Sequence, residues 1–331
     1  MDLALLDSTL AALDQPRYRG GQVREWLMQG VKGYDGMTNL PGPLRAELAA
    51  QVPFSTLELV TEATSTDGTI KALFRTHDGH AVESVLMRYK DGRRSICVSS
   101  QSGCPLTCTF CATGQMKFGR NLTPFEIVDQ ALHFRRKEEV NHCVYMGMGE
   151  PLINFDNVME SISYLPAIGI THRRTTLSTV GWLPSLKRFI DEVEIPVRLA
   201  ISLHAPDGEL RQKLMPVNER YPLEDVIAEC RRYVALRGQK VFVEYVMLSG
   251  VNDRPDQAKA LAKLLGRHDF KVNLIPYNPT GGLYDGSSRE RIDAFLQELT
   301  KAGVPATVRL TRGRDIQAAC GQLAAERAPA A

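Results

Sequence analysis

Between residues 57 and 100 apolar and polar positions alternate with a period of two, and three Asp-Gly pairs, Asp67-Gly68, Asp78-Gly79 and Asp91-Gly92, divide the stretch into four segments. Alternation interrupted by Asp-Gly is the signature of tight antiparallel hairpins. It predicts strands over 57–63, 69–76, 80–89 and 94–100, the last running into the core. Ahead of it, residues 17–50 carry a helical period broken by glycines and by Asn39-Leu40-Pro41-Gly42-Pro43, which predicts short linked helices. Behind it the period switches repeatedly. Strands are predicted over 142–146, 175–178, 197–202, 240–248, 271–276 and 306–310, with helices over 124–138, 183–193, 223–237, 255–265 and 289–301. Repeated strand–helix units imply a parallel sheet flanked by helices, an open or closed α/β barrel. Three regions follow: a helical accessory domain at 1–55, readable as a grip for phosphates or as a solvated cap on the core, a β-rich extension at 56–89, and a barrel core at 90–331.

Composition narrows the class without naming a chemistry. The 331 residues are 44% hydrophobic with a net charge of +2, ordinary for a globular protein. Only the Ala/Pro tail after Glu326 reads as disordered. No apolar run reaches membrane-spanning length, and the acidic start (Asp2, Asp7) lacks the basic flank of a secretory signal, so a cytoplasmic location without membrane contact is expected. Seven cysteines, three of them crowded together, suit reduced thiols engaged in metal or redox work better than a secreted disulfide framework.

The crowded three are Cys104, Cys108 and Cys111, spaced C-x3-C-x2-C. One loop of this kind can deliver three thiolates to an iron–sulfur cube and leave one iron open to a substrate. A structural zinc site wants four ligands, usually two close pairs, and no second pair exists here. Of the other cysteines, Cys143 and Cys230 sit in apolar segments and read as core. Cys97 closes the strand before the loop, and Cys320 lies in a Gly-flanked segment after the last strand. Barrel geometry carries both to one rim, where paired thiols suggest covalent chemistry.

The other unusual residues also fall where strands end. They include Gly147-Met148-Gly149-Glu150, in which glycines permit close backbone approach and a carboxylate can accept from an ammonium. Ser178, Ser202, His204 and Asn278 stand at further strand ends, each alone readable as a cap, a turn former or a structural histidine. The remaining histidines show no metal-ligand spacing.

The cysteine spacing resembles that of the radical S-adenosylmethionine (SAM) superfamily. Within it, several runs resemble the bacterial RlmN family of adenine-C2 RNA methyltransferases: Cys97 through Gly119-Arg120-Asn121-Leu122, Gly147 to Leu152, Leu177-Ser178-Thr179, Leu199 to Ala205, Glu244 to Leu248, and Arg312-Gly313 to Gly321. The resemblance implies a partial (β/α)6-type radical SAM barrel with a small N-terminal helical domain and a β-hairpin extension. It also implies a 4Fe-4S cluster on Cys104, Cys108 and Cys111, with SAM contacts at Gly149, Glu150, Ser178, Ser202, Leu203, His204 and Asn278. Cys320 would be methylated, Cys97 would resolve it through a transient disulfide bond, and Glu83 would serve as general base. The implied reaction consumes two SAM per methyl placed on C2 of an adenosine in 23S rRNA and in tRNA. The implied electron donor is a flavodoxin or ferredoxin, and the implied state a monomer. Alternatives are a methyltransferase acting on C8 of the ribosomal adenosine, a radical SAM enzyme acting on a small molecule, and a zinc-stabilised RNA-binding module.

Overall fold

The computed structural model describes residues 1–324. The Ala/Pro tail expected to be disordered lies outside the described residues. Three helices open the chain: α1 (Leu3–Ala12), α2 (Tyr18–Met28) and α3 (Gly42–Gln51). They pack on their own small core, in which Leu6, Leu27, Met37 and Leu48 are fully buried. The sequence reading missed α1. Its start is marked by Asp2, whose carboxylate accepts from the amides of Ala4 and Leu5, but its leucines and alanines do not form one apolar stripe.

The hairpin region folds as expected. Strands β1 (Leu57–Thr64), β2 (Ile70–Thr76), β3 (Ala81–Arg88) and β4 (Arg94–Cys97) form an antiparallel meander. Gly68, Gly79 and Gly92 take φ of +83° to +88° at the three turns, a conformation open to glycine at little cost. β4 then pairs in parallel with β5 (His142–Tyr145). The sheet continues through β6 (Thr175–Thr179), β7 (Arg198–Ser202), β8 (Val241–Met247), β9 (Phe270–Pro276) and β10 (Ala306–Val308), all parallel. Ten strands in chain order make one open sheet, the partial barrel with its extension.

Helices α4 (Pro124–Arg135), α5 (Phe155–Ile168), α6 (Leu183–Glu192), α7 (Gly208–Leu214), α8 (Leu223–Arg237), α9 (Pro255–Leu265) and α10 (Arg289–Lys301) follow the strands. α4 starts with a capping box in which Thr123 and Glu126 exchange side-chain bonds with each other's amides. The sequence reading also passed over α5, because Pro166 sits inside it, and the short α7. The main core lies between sheet and helices, with Ile96, Leu177, Leu199, Ile201, Val243 and Leu274 fully buried on the strands. Parallel strands place every following loop at one rim, so the fold gathers sequence-distant residues at one mouth.

Candidate active site

β4 ends at Cys97, and the chain runs through buried Val98 to Ser102 before opening into the cysteine loop. Cys104, Cys108 and Cys111 all line one cavity at the rim. The loop is tied to its surroundings from both sides. The Thr109 amide donates to Leu214 O (3.0 Å), and the Ala112 amide donates to Gly321 O (2.9 Å). Gly114 closes the loop beneath, where an added Cβ would stand 3.0 Å from Leu106 O and 3.1 Å from Cys108 N.

The thiols lie in a poorly solvated place: burial pushes Cys104 up to about 12. Thiols so shifted remain protonated at neutral pH unless a metal displaces the proton. Among the described residues no three His, Cys, Asp or Glu side chains converge tightly enough to hold a single metal ion. Tetrahedral zinc, with Zn–S of about 2.3 Å, needs sulfurs about 3.8 Å apart. Three thiols facing one cavity from a single loop suit a polynuclear iron–sulfur group, which takes thiolate ligands and can leave one iron open.

Opposite the loop, Glu150 is buried and fully engaged. Its Oε1 accepts from Leu152 N (3.0 Å) and its Oε2 from Val180 N (2.9 Å). Burial pushes its carboxyl up to about 7, against these hydrogen bonds. Gly149 beside it has φ +96°, and an added Cβ would lie 2.5 Å from Gln101 Cβ. Ser178 and Ser202 line the same cavity from the ends of β6 and β7.

His204 completes that wall with φ +60°, uncommon for a residue other than glycine. Its Nδ1 accepts from Val246 N at 3.0 Å, which leaves the proton on Nε2, and burial lowers its pKa to about 3. His204 is therefore a neutral donor into the cavity. Two other expected SAM contacts stand elsewhere. The Leu203 side chain is fully buried in the main core rather than lining the cavity, because residues next to each other on an extended chain face opposite sides. Asn278 lines the adjoining cavity, donating to Cys320 O at 3.3 Å and accepting from Arg314 Nε at 3.3 Å.

That adjoining cavity contains both outlying thiols. Cys97, Cys111 and Cys320 line it together, and Cys320 and Cys111 also line the first. The segment after the last strand reaches them because it is laced onto the cysteine loop: besides the Ala112–Gly321 bond, Thr113 Oγ1 donates to Leu323 O at 2.7 Å. It is also clamped to the β1–β2 turn. Asp315 accepts from Ser65 Oγ (2.5 Å) and Thr66 N (3.0 Å), and Asp67 accepts from Gly313 N (3.0 Å). All seven cysteines are free, so no disulfide bond joins Cys97 to Cys320 in this structure. Burial pushes the Cys97 thiol up to about 12.

Glu83 is not at either mouth. It is 4% exposed, pairs with Lys71 Nζ at 3.1 Å, and accepts from Ala324 N at 2.8 Å. Its carboxylate is neither solvated nor a wall of the cavities that hold the cysteines.

Two cations escaped the sequence reading. Arg309 lines both cavities, 3.7 Å from Glu244, and its charge is favoured by Cys320 and then by Glu244, against burial. Arg211 on α7 is 0% exposed and has no ion-pair partner among the described residues. It donates to Val180 O (2.5 Å) and Asn218 Oδ1 (2.8 Å), while burial lowers it to about 10 and the nearby Cys108 opposes that shift. An unpaired buried guanidinium is costly unless negative charge stands near it, and metal-bound thiolates would supply that charge. Arg211 belongs to a short helix with no apolar repeat, so nothing local marked it.

Residues 98–265 match the radical SAM superfamily. A dual-specificity RNA methyltransferase RlmN from Anaeromyxobacter sp. (strain Fw109-5) is 43% identical over 99% of this chain and 90% of its own length. A probable enzyme of the same name from Deinococcus deserti is 43% identical over 98% and 97%. The crystal structure of a radical SAM methyltransferase from Sphaerobacter thermophilus superposes with a TM-score of 0.92 at 46% identity, covering 98% of each chain. A fold shared end to end at this identity, on a site with this cysteine loop, means that the chain belongs to the RlmN family of radical SAM RNA methyltransferases.

Proposed function

We propose that this enzyme methylates C2 of an adenosine in 23S rRNA and in tRNA, carrying the methyl group on Cys320 and using two SAM per turnover. The observation that supports this reading is the shared cavity of Cys97, Cys111 and Cys320, with the Cys320 segment hydrogen-bonded to the cysteine loop. A methyltransferase that moved the group directly from SAM to a nucleophilic base would need neither outlying thiol. Adenine C2 is electron-poor and cannot attack a sulfonium, so a carrier answers a chemical need.

Cys104, Cys108 and Cys111 would hold a 4Fe-4S cluster, with SAM against Gly149, Glu150, Ser178, Ser202 and His204. So loaded, the site supplies one-electron cleavage of a sulfonium, and hence a carbon radical able to take hydrogen from a methyl group. The rest of the work falls to the chain's own residues. Glu150, ionised, accepts from the SAM ammonium, and His204 Nε2–H donates to an acceptor on the cofactor. Cys320 takes a methyl group from one SAM by displacement and holds it as a thioether. After that methyl group has lost a hydrogen atom and bonded to C2, the adduct gives one electron to the redox partner and its C2 proton to solvent. The Cys97 thiolate then attacks the Cys320 sulfur, the carbon–sulfur bond breaks, the freed carbon takes up a proton to become the new methyl group, and external reductant restores both thiols from the disulfide. Arg309, which lines the same cavity as both sulfurs, opposes the effect of burial on the Cys97 thiol.

Residues 1–55 are the proposed RNA grip, and a small iron–sulfur or flavin protein the proposed electron donor. The decisive experiment is anaerobic reconstitution followed by mass spectrometry of nucleosides from treated RNA. The proposal expects 2-methyladenosine, absent with Cys320→Ala. Recovery of 8-methyladenosine instead, or unchanged yield from Cys320→Ala, overturns it.

A further inference from the structure

The opposite end of the barrel carries a second, differently charged cavity of about 480 Å³. Side chains alternate along a strand, so the residues entering the interior near the strand starts are Arg174 ahead of β6, Arg198 on β7 and Lys271 on β9, with His142 on β5 and Arg93 ahead of β4. Barrel interiors are ordinarily filled by apolar layers. Here the lowest layer is a ring of cations around open space.

The ring lacks matching acids. Arg93 pairs with Asp91 outside the cavity, but Arg174, Arg198 and Lys271 have no ion-pair partner among the described residues. The single carboxylate in the lining, Glu244, is buried one layer further in and already engaged by Asn273 (2.8 Å) and Arg309. That the guanidinium groups converge is visible at His142, held below its usual range by burial and then by Arg174, Arg93 and Arg198. Like charges gathered at one mouth repel unless an anion joins them.

We propose that this mouth of the barrel binds a compact multivalent phosphate, a polyphosphate chain or the phosphate tail of a nucleotide. Guanidinium groups suit phosphate oxygens through paired N–H donors. The space is of the size that holds small ligands, about 300–1,000 Å³. Arg93, Arg174 and Arg198 are exposed at the opening and Lys271 is half-buried; a ring around one opening is more compact than the spread outer face that an RNA duplex needs. The site lies at the far end from the cysteine loop, separated from it by the Glu244–Arg309 pair, which lines both ends.

The test is isothermal titration of the reconstituted full-length enzyme with inorganic triphosphate and with ATP, at constant ionic strength. Both should bind, and Arg198→Gln/Lys271→Gln should weaken both by about tenfold or more, the loss expected when charge-assisted bonds to phosphate are removed. Arg173→Gln, an exposed neighbour outside the cavity, should bind as wild type. Tighter binding of ATP than of triphosphate identifies a nucleotide as the ligand class, and equal or weaker binding identifies a phosphate chain. Undiminished binding in the double variant overturns the proposal. So does absence of triphosphate binding to wild type, or a double variant that loses affinity for a stem-loop RNA alone.

Discussion

Replacing Glu150 by Gln should remove a pH-dependent loss of stability from the ligand-free protein and lower its affinity for SAM. The Glu150 carboxyl is pushed from 4.5 up to about 7 by burial. A carboxylic acid whose pKa is higher folded than unfolded binds protons more readily when folded, so its contribution is best at low pH. It worsens as pH rises from 4.5 to 7. The full shift of about 2.5 units, at 1.36 kcal/mol per unit, is about 3 kcal/mol carried by the ionised form above pH 7. Glutamine never ionises, and its single oxygen can accept from only one of the amides of Leu152 and Val180, so the variant carries a pH-independent cost of about 1–3 kcal/mol beside the lost pH dependence. Urea unfolding should therefore show the stability of Glu150→Gln, relative to wild type, rising by about 3 kcal/mol between pH 4.5 and pH 8. Its affinity for SAM should fall by about tenfold to a hundredfold, the worth of one charge-assisted hydrogen bond. In the wild type that affinity should itself decline below pH 7, as the acid takes up a proton, and in the variant the decline should vanish. A stability difference between variant and wild type that stays the same from pH 4.5 to pH 8, or a variant that binds SAM undiminished, would refute the account of Glu150 as a strained anion held ready for a cation.

Other outcomes follow from the same geometry. Cys97→Ala should leave substrate RNA covalently joined to the protein through Cys320, seen as a shifted band that is absent from Cys97→Ala/Cys320→Ala; free product at the wild-type rate would exclude Cys97 as the resolving thiol. Arg211→Met strands the buried acceptors Val180 O and Asn218 Oδ1 and should cost about 2–4 kcal/mol in urea unfolding, with iron content after reconstitution reduced; a stabilised variant with full iron would show that the cation serves neither purpose. Gly149→Ala must place a Cβ 2.5 Å from Gln101 at φ +96°, so a loss of about 2–4 kcal/mol in stability is expected, checked by thermal unfolding.

Local pattern was enough to specify much of this molecule. Asp-Gly turns set four antiparallel strands, alternating periods set the parallel units after them, and three cysteines within eight residues marked the cluster loop before any packing was known. These signals are short-range, written in neighbours three or four residues apart, so one chain carries them. Leu203 shows where such reading stops: next to two cavity residues in sequence, it faces the other side of its strand. Glu83 shows it again, since the salt bridge to Lys71 and the bond from Ala324 are not visible in the run around it.

What only the tertiary structure decided is which distant groups share a space. Cys97, Cys111 and Cys320 meet because the final segment is fastened to the cysteine loop and to the β1–β2 turn by hydrogen bonds spanning up to 250 residues. Arg211 and Arg309, and the cations at the far mouth, have no local mark either. Their charges acquire meaning from the groups that the fold gathers around them, which is a property of the packed sheet rather than of any stretch of sequence.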